Sequence, residues 1–142
     1  MHYLLLLGLI GLISCSSPDS ISGEQATVAA TPQRELVQVK GSTVSFRIST
    51  FTSVSCIGYE RQFPNATRLL ITDPTRLKRI QERVEQLQPA RKEQGVDIRA
   101  KTVLLYNDHS SDTLCLGQFY SVHKGRIVPT DSVLNRLLGI GL

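Results

Sequence analysis

The chain has 142 residues, with 16 Lys and Arg against 12 Asp and Glu, three Cys and no Trp. That length accommodates one globular core plus an appendage and excludes two full-sized cores. A composition 41% hydrophobic and 20% charged excludes a wholly disordered or fibrous chain, and a formal charge of +4 is too small to indicate nucleic-acid binding.

Residues 3–13 read YLLLLGLIGLI, an uninterrupted apolar run of 11 residues. A spanning helix needs about 20, so this run has the length of the hydrophobic region of a signal peptide. Leu12, Ile13, Ser14 and Cys15 close it, and Ser16, Ser17, Pro18 and Asp19 follow at once. This segment resembles the lipobox of bacterial lipoproteins: an aliphatic residue three before the cysteine, a small residue just before it, then the cysteine. The resemblance implies cleavage ahead of Cys15 and acylation there, since only a thiol carries the thioether-linked diacylglycerol. Buried acyl chains contribute about 0.8 kcal/mol per CH2, and more than one chain holds a protein stably without a transmembrane helix. The expectation is a cell-envelope protein anchored to a membrane through lipid. Ser16, standing where an Asp would retain the protein at the inner membrane, points by the same resemblance to the outer membrane.

Residues 16–34 are rich in Ser, Ala, Thr, Gly and Pro and have no aromatic residue, a linker composition. Such a tether averages about 24 Å end to end. The organisation read from the sequence is therefore a cleaved signal peptide over 1–14, a lipidated N-terminus and tether over 15–34, and one domain over 35–142.

Within the domain, residues 35–40 and 43–49 are rich in β-branched residues, and Val44, Phe46 and Ile48 alternate with Ser45, Arg47 and Ser49. Two strands joined by a turn at Gly41 and Ser42 are expected, with a bend over 50–53 and a resumption over 54–56. Residues 68–72 read as a short buried strand. Asp73 and Pro74 then suit the N-cap and first position of a helix whose apolar stripe is Leu77, Ile80, Val84 and Leu87 and which Pro89 ends. A strand over 96–106, a turn over 107–111 and a strand over 112–122 follow. Lys124 and Gly125 form another turn, 126–128 extends briefly, and Thr130 and Asp131 cap a last helix that buries Val133, Leu134, Leu137 and Leu138 and stops at Gly139. The order β-β-β-α-β-β-α predicts an α+β fold, a small antiparallel sheet of four to five strands with helices packed on one face. The run Ile71-Thr72-Asp73-Pro74, an amphipathic helix and a strand hairpin resembles small bacterial lipoprotein domains of no assigned activity.

With Cys15 acylated, Cys56 and Cys115 remain as an even pair in an exported protein, each inside a strand candidate. Neither CxxC spacing nor neighbouring His ligands accompany them, so a structural disulfide is expected over a redox or metal site. A bridge closing about 60 residues is worth about 4 kcal/mol in the chain-entropy model.

The sequence predicts no catalytic residue, metal or cofactor. His109 lies among Asp108, Ser110, Ser111 and Asp112, but neighbours in a tight turn diverge, whereas a catalytic triad converges from distant segments. His123, beside Lys124 and Gly125, reads likewise as a turn residue. No GxSxG, HExxH or Gly-rich phosphate loop is present. Residues 61–101 hold ten Lys and Arg against five Asp and Glu. Arg76, Arg79 and Arg83 fall within about 60° of one another on the first helix, a stripe suited to phosphate or carboxylate. The expected function is a non-catalytic envelope binding or structural domain with a protein or anionic envelope component as partner. The alternatives are an inhibitor of a periplasmic or host enzyme, using the 56–64 region or the 107–111 turn as a plug, and an enzyme.

Overall fold

The computed structural model describes residues 33–91 and 95–141. Cys15 and the lipobox lie outside them. The elements are β1 (Leu36–Thr43), α1 (Tyr59–Gln62), β2 (Thr67–Ile71), α2 (Pro74–Glu85), β3 (Ile98–Tyr106), β4 (Ser111–Gly117), β5 (Tyr120–His123), β6 (Arg126–Pro129) and α3 (Ser132–Leu137). The class is α+β, and the single antiparallel sheet has six strands in the order β2-β1-β3-β4-β5-β6. The expected count of four to five strands and the order β-β-β-α-β-β-α are thus corrected to β-α-β-α-β-β-β-β-α.

Each difference has a local cause. The chain does not turn at Gly41 and Ser42, because β1 runs straight through them, pairing Gly41 with Leu69 on one side and Thr102 on the other. A Cβ on Gly41 would collide with the Lys101 carbonyl and with Thr102, so glycine here permits close strand approach instead of a turn. Neither the alternation over 44–49 nor the expected resumption over 54–56 forms a strand, so Cys56 lies in the connection. Thr43 already faces Ala100 near the start of β3, and beyond the Val44 N–H bond to the Arg99 carbonyl (2.8 Å) there is no neighbour to pair with. The strand expected over 112–122 breaks at Gly117, where a Cβ would meet the carbonyls of Tyr120 and Asp97; β4 ends there and β5 begins three residues later.

The sheet separates two apolar clusters. On one face, Val39, Ile71, Ala100, Leu104, Leu114 and Leu116 meet Leu77, Ile80 and Val84 of α2 and Leu134 of α3, with Leu138 and Ile140 beyond it. Asp73 caps α2 by accepting the Arg76 N–H at 2.7 Å, and Asp131 caps α3 by accepting from Val133 and Leu134. On the other face, Cys115, flanked by the helix-facing Leu114 and Leu116, gathers Val54, Tyr59 and Ile98. The placing of helices on one face therefore holds for α2 and α3, whereas α1 packs on the opposite one. Ile98 reaches this second cluster because the β3–β4 register shifts between Ile98 and Ala100.

Cys56 and Cys115 are joined, with Cα atoms 5.6 Å apart and a separation of 59 positions in sequence. The bridge fastens the long β1–β2 connection to the sheet. Arg34, placed in the tether by composition, instead belongs to the domain: its guanidinium lies against Asp112 (3.2 Å) and Ser110 (2.8 Å). Replacing both Cys56 and Cys115 by Ser is expected to lower the melting temperature, by up to about 4 kcal/mol of lost stability. It should also make residues 45–58 the first site of limited proteolysis; an unchanged melting curve would contradict this account.

Candidate binding surface

Arg99 organises the β1–β2 connection. It is only 4% exposed, yet its planar fork is fully engaged. Two nitrogens donate to Asp97 (2.6 Å each), Nε donates to the Ile48 carbonyl (3.2 Å), and Nη2 donates to Thr50 Oγ1 (3.1 Å). Asp97 in turn accepts the Val54 N–H at 2.9 Å, and the Val54 carbonyl accepts from Ile98 N at 2.9 Å. A bidentate Arg–carboxylate pair is geometrically demanding, so this knot holds residues 48–54 in one shape. The disulfide holds the same connection a few residues further on.

The braced segment turns apolar side chains outward. Phe51 is 110% exposed and Ile57 93%, with Ile48 also open to solvent. Phe119, 73% exposed, stands on the turn after β4. Because Gly117 pairs with Ile98, that turn lies at the same end of the sheet as the Arg99 knot. Four exposed large hydrophobics thus gather at one end. The chain enters the domain at the other end, where Leu36 faces Tyr106 and Asn107 N donates to the Glu35 carbonyl (2.9 Å). The 107–111 turn lies at this entry end and is held by its own contacts, with the Ser110 N–H donating to Asp108 Oδ1 (2.9 Å) and His109 at φ 64°.

The arginine stripe is placed differently from expectation. Arg76 Nε donates to the Leu137 carbonyl at the C-terminus of α3. Arg83 pairs with Asp131, the N-cap of α3, its Nε donating at 2.9 Å. Arg76 and Arg83 therefore clamp the two ends of an antiparallel neighbour helix, and Arg79, between them, is exposed. Periodicity placed all three on one flank but could not show that α3 docks there. Arg83→Ala is expected to lower stability by about 1 kcal/mol, and Asp131→Ala, which also removes the cap, by about 2 kcal/mol, read from urea unfolding.

A polar cluster that the sequence did not bring together lies under the C-terminal half of α2. Arg34, Tyr106, Asp112, His123 and Lys124 line a cavity of about 330 Å³ with Gln81, Val84 and Glu85. Both Arg34 and Lys124 sit 3.2 Å from Asp112, and the Arg34 guanidinium lies 3.5 Å over the Tyr106 ring. Burial pushes the Asp112 carboxyl up, but the hydrogen bonds and charges of Arg34 and Lys124 outweigh it and leave it below the usual carboxylate range. Burial, reinforced by the Asp112 charge, pushes the Tyr106 hydroxyl up to about 12. Burial and the Lys124 charge hold His123 below its ordinary value against the pull of Asp112. Its Nε2 is buried and without a hydrogen-bond partner among the described residues. The signal for this cluster was hairpin pairing: Leu114 faces His123, so Asp112, two residues back, shares its face.

Among the described residues the geometry gives the imidazole no hydrogen bond to Asp112 or Tyr106. It does supply a pH dependence. A His with a depressed folded-state pKa binds its proton more readily when unfolded, so its contribution is present above the ordinary His value and lost as pH falls below it. The urea midpoint is expected to fall between pH 7.5 and 5 in the wild type and to fall less in His123→Gln; parallel curves would exclude His123 as the source.

No protein family, curated protein or solved structure was found to match the chain.

Proposed function

We propose that this is a lipid-anchored bacterial envelope protein, held through acylated Cys15, whose domain is a non-catalytic binding module that engages another envelope protein with its apolar end. The observation that carries the binding reading is Phe51. It is a fully exposed aromatic on a loop whose backbone is braced nearby by a buried Arg knot and a disulfide, so contact has chiefly its two side-chain torsions to order. Rigid aromatic anchors of this kind dominate interface energetics. With Ile48, Ile57 and Phe119 also open to solvent, this end carries four of the exposed large hydrophobics among the described residues. The lipobox resemblance supports the anchor, and the anchored segment joins the domain at the opposite end, leaving the apolar end free to face away from the bilayer. The outer membrane is the proposed location, on the identity of Ser16.

The braced, protruding loop also favours a second reading, an inhibitor that inserts Phe51 into an enzyme's cleft. The separation lies in the partner's identity. In cells, Cys15→Ala is expected to abolish labelling by a palmitate analogue and leave an uncleaved precursor. A photo-crosslinking residue at position 51 or 119 of the full-length protein should give discrete protein adducts, and the same residue at Lys78 or Glu82 should not. Adducts to lipid alone, or equal adducts from all four positions, would overturn the binding reading. An enzyme as the sole adduct would select the inhibitor.

A further inference from the structure

The two edges of the sheet are treated differently. At the β6 edge the Ala90 N–H donates to the Ile127 carbonyl (2.8 Å), and Pro129 has no N–H to offer. This is the usual protection of an exposed edge. The β2 edge has none of it. Thr67–Ile71 pairs with β1 in five consecutive steps without a bulge, contains no proline, and has no other backbone partner among the described residues. Leu70 on this strand is 64% exposed.

The sheet face beside that edge is basic. Ser42 is opposite Arg68 on one side and Lys101 on the other, and Lys40 is opposite Leu70 and Val103. One cross-strand row therefore reads Arg68, Ser42, Lys101, and the next reads Leu70, Lys40, Val103. At strand spacings of about 4.8 Å, Arg68 and Lys101 are about 10 Å apart, with Lys40 about 7 Å along the strand between them. Phe63, Pro64 and Ala66 wall the space over these rows, giving a groove of about 640 Å³. Among the described residues Glu60 is its single acid, an exposed carboxylate 3.1 Å from Lys101. Three cations against one acid on a sheet face repel one another and gain from an anion.

We propose that the β2 edge takes up an extended acidic segment of a protein partner as a seventh strand. Arg68 and Lys40 would read its carboxylates and Leu70 an aliphatic side chain two residues along. In strand addition the main chain supplies affinity and alternate side chains supply specificity, and here both elements lie side by side. An added strand points every second side chain over the groove, so an acid opposite Arg68 and an aliphatic residue opposite Leu70 form the recognised pair. This surface is separate from the apolar end and does not depend on it.

The test uses the full-length protein in detergent micelles and a fluorescent eight-residue peptide, Glu-Thr-Val-Thr-Glu-Thr-Val-Thr, whose one face carries Glu and Val in turn. Binding is expected by anisotropy, weakened about tenfold in Arg68→Glu and in high salt, with no binding of the Lys and Val counterpart. Hydrogen exchange at the β2 amides should slow on binding. Of two peptides N-methylated at alternate residues, one in each phase, one should lose binding about tenfold, because it removes the main-chain donors while keeping the charge. Equal binding by both methylated forms would reduce the surface to electrostatics and overturn strand addition. Inorganic polyphosphate binding as tightly as the peptide, without protecting β2, would overturn it in favour of a polyanion. Concentration-dependent dimers abolished by Leu70→Lys would overturn it in favour of a second copy. Crosslinking from position 51 should persist in Arg68→Glu, so failure here and failure of the binding reading above are distinguishable.

Discussion

A buried guanidinium dictates much of this molecule's arrangement. Arg99 lies where the β3–β4 register shifts, and a charge taken out of water must find acceptors for its fork. Asp97 supplies a bidentate pair, and the Ile48 carbonyl and Thr50 hydroxyl complete the set. Those acceptors come from a connection that has left the sheet, so the need to satisfy Arg99 draws the connection back over the strand face. The register shift that accompanies it turns Ile98 toward Cys115 and Tyr59, which seeds the second cluster. The disulfide then fixes the connection covalently at Cys56. One desolvated cation thus links a strand irregularity, a small core and an exposed loop.

The opposite face follows a simpler logic. The stripe of α2 buries against the sheet, and the arginines on its flank hold the ends of α3 through a carbonyl and an N-cap carboxylate. A helix of six residues has little stability alone, so external partners at both termini are what keep it in place. Two of the three cations that periodicity marks as an anion-binding stripe thus serve as internal fasteners, and Arg79 between them is exposed. A second set of cations, Lys40, Arg68 and Lys101, lies on the other sheet face.

Helices α2 and α3 were the most legible part of the fold, whereas the four-residue α1 was not foreseen. Asp73 and Pro74, a 3.6-residue apolar period and Asp131 are local signals, and the caps form as those residues require. The strands were less legible, because alternation marks a residue's fitness for a sheet without naming its neighbour. Residues 44–49 alternate and remain a loop for lack of a partner, and Gly41, a turn signal by type, sits mid-strand because two backbones approach closely there. Of the surface features, the bend over 50–53 and the Cys pair could be foreseen. The cluster of Arg34, Asp112 and His123 could not, because it depends on which strands pair.

What the sequence determines alone is what short-range chemistry determines: the apolar run that closes on Cys15, the helix caps and the tight turn at Lys124 and Gly125, where both residues have positive φ. Each of these rests on a few consecutive residues or on a count. Only the tertiary structure decides that Arg76 and Arg83 are occupied, that Phe51 and Phe119 share one end, and that among the described residues β2 pairs with β1 alone while β6 also meets Ala90. These are relations between residues tens of positions apart. They arise when buried charges and apolar faces are satisfied together, and no local pattern carries that information.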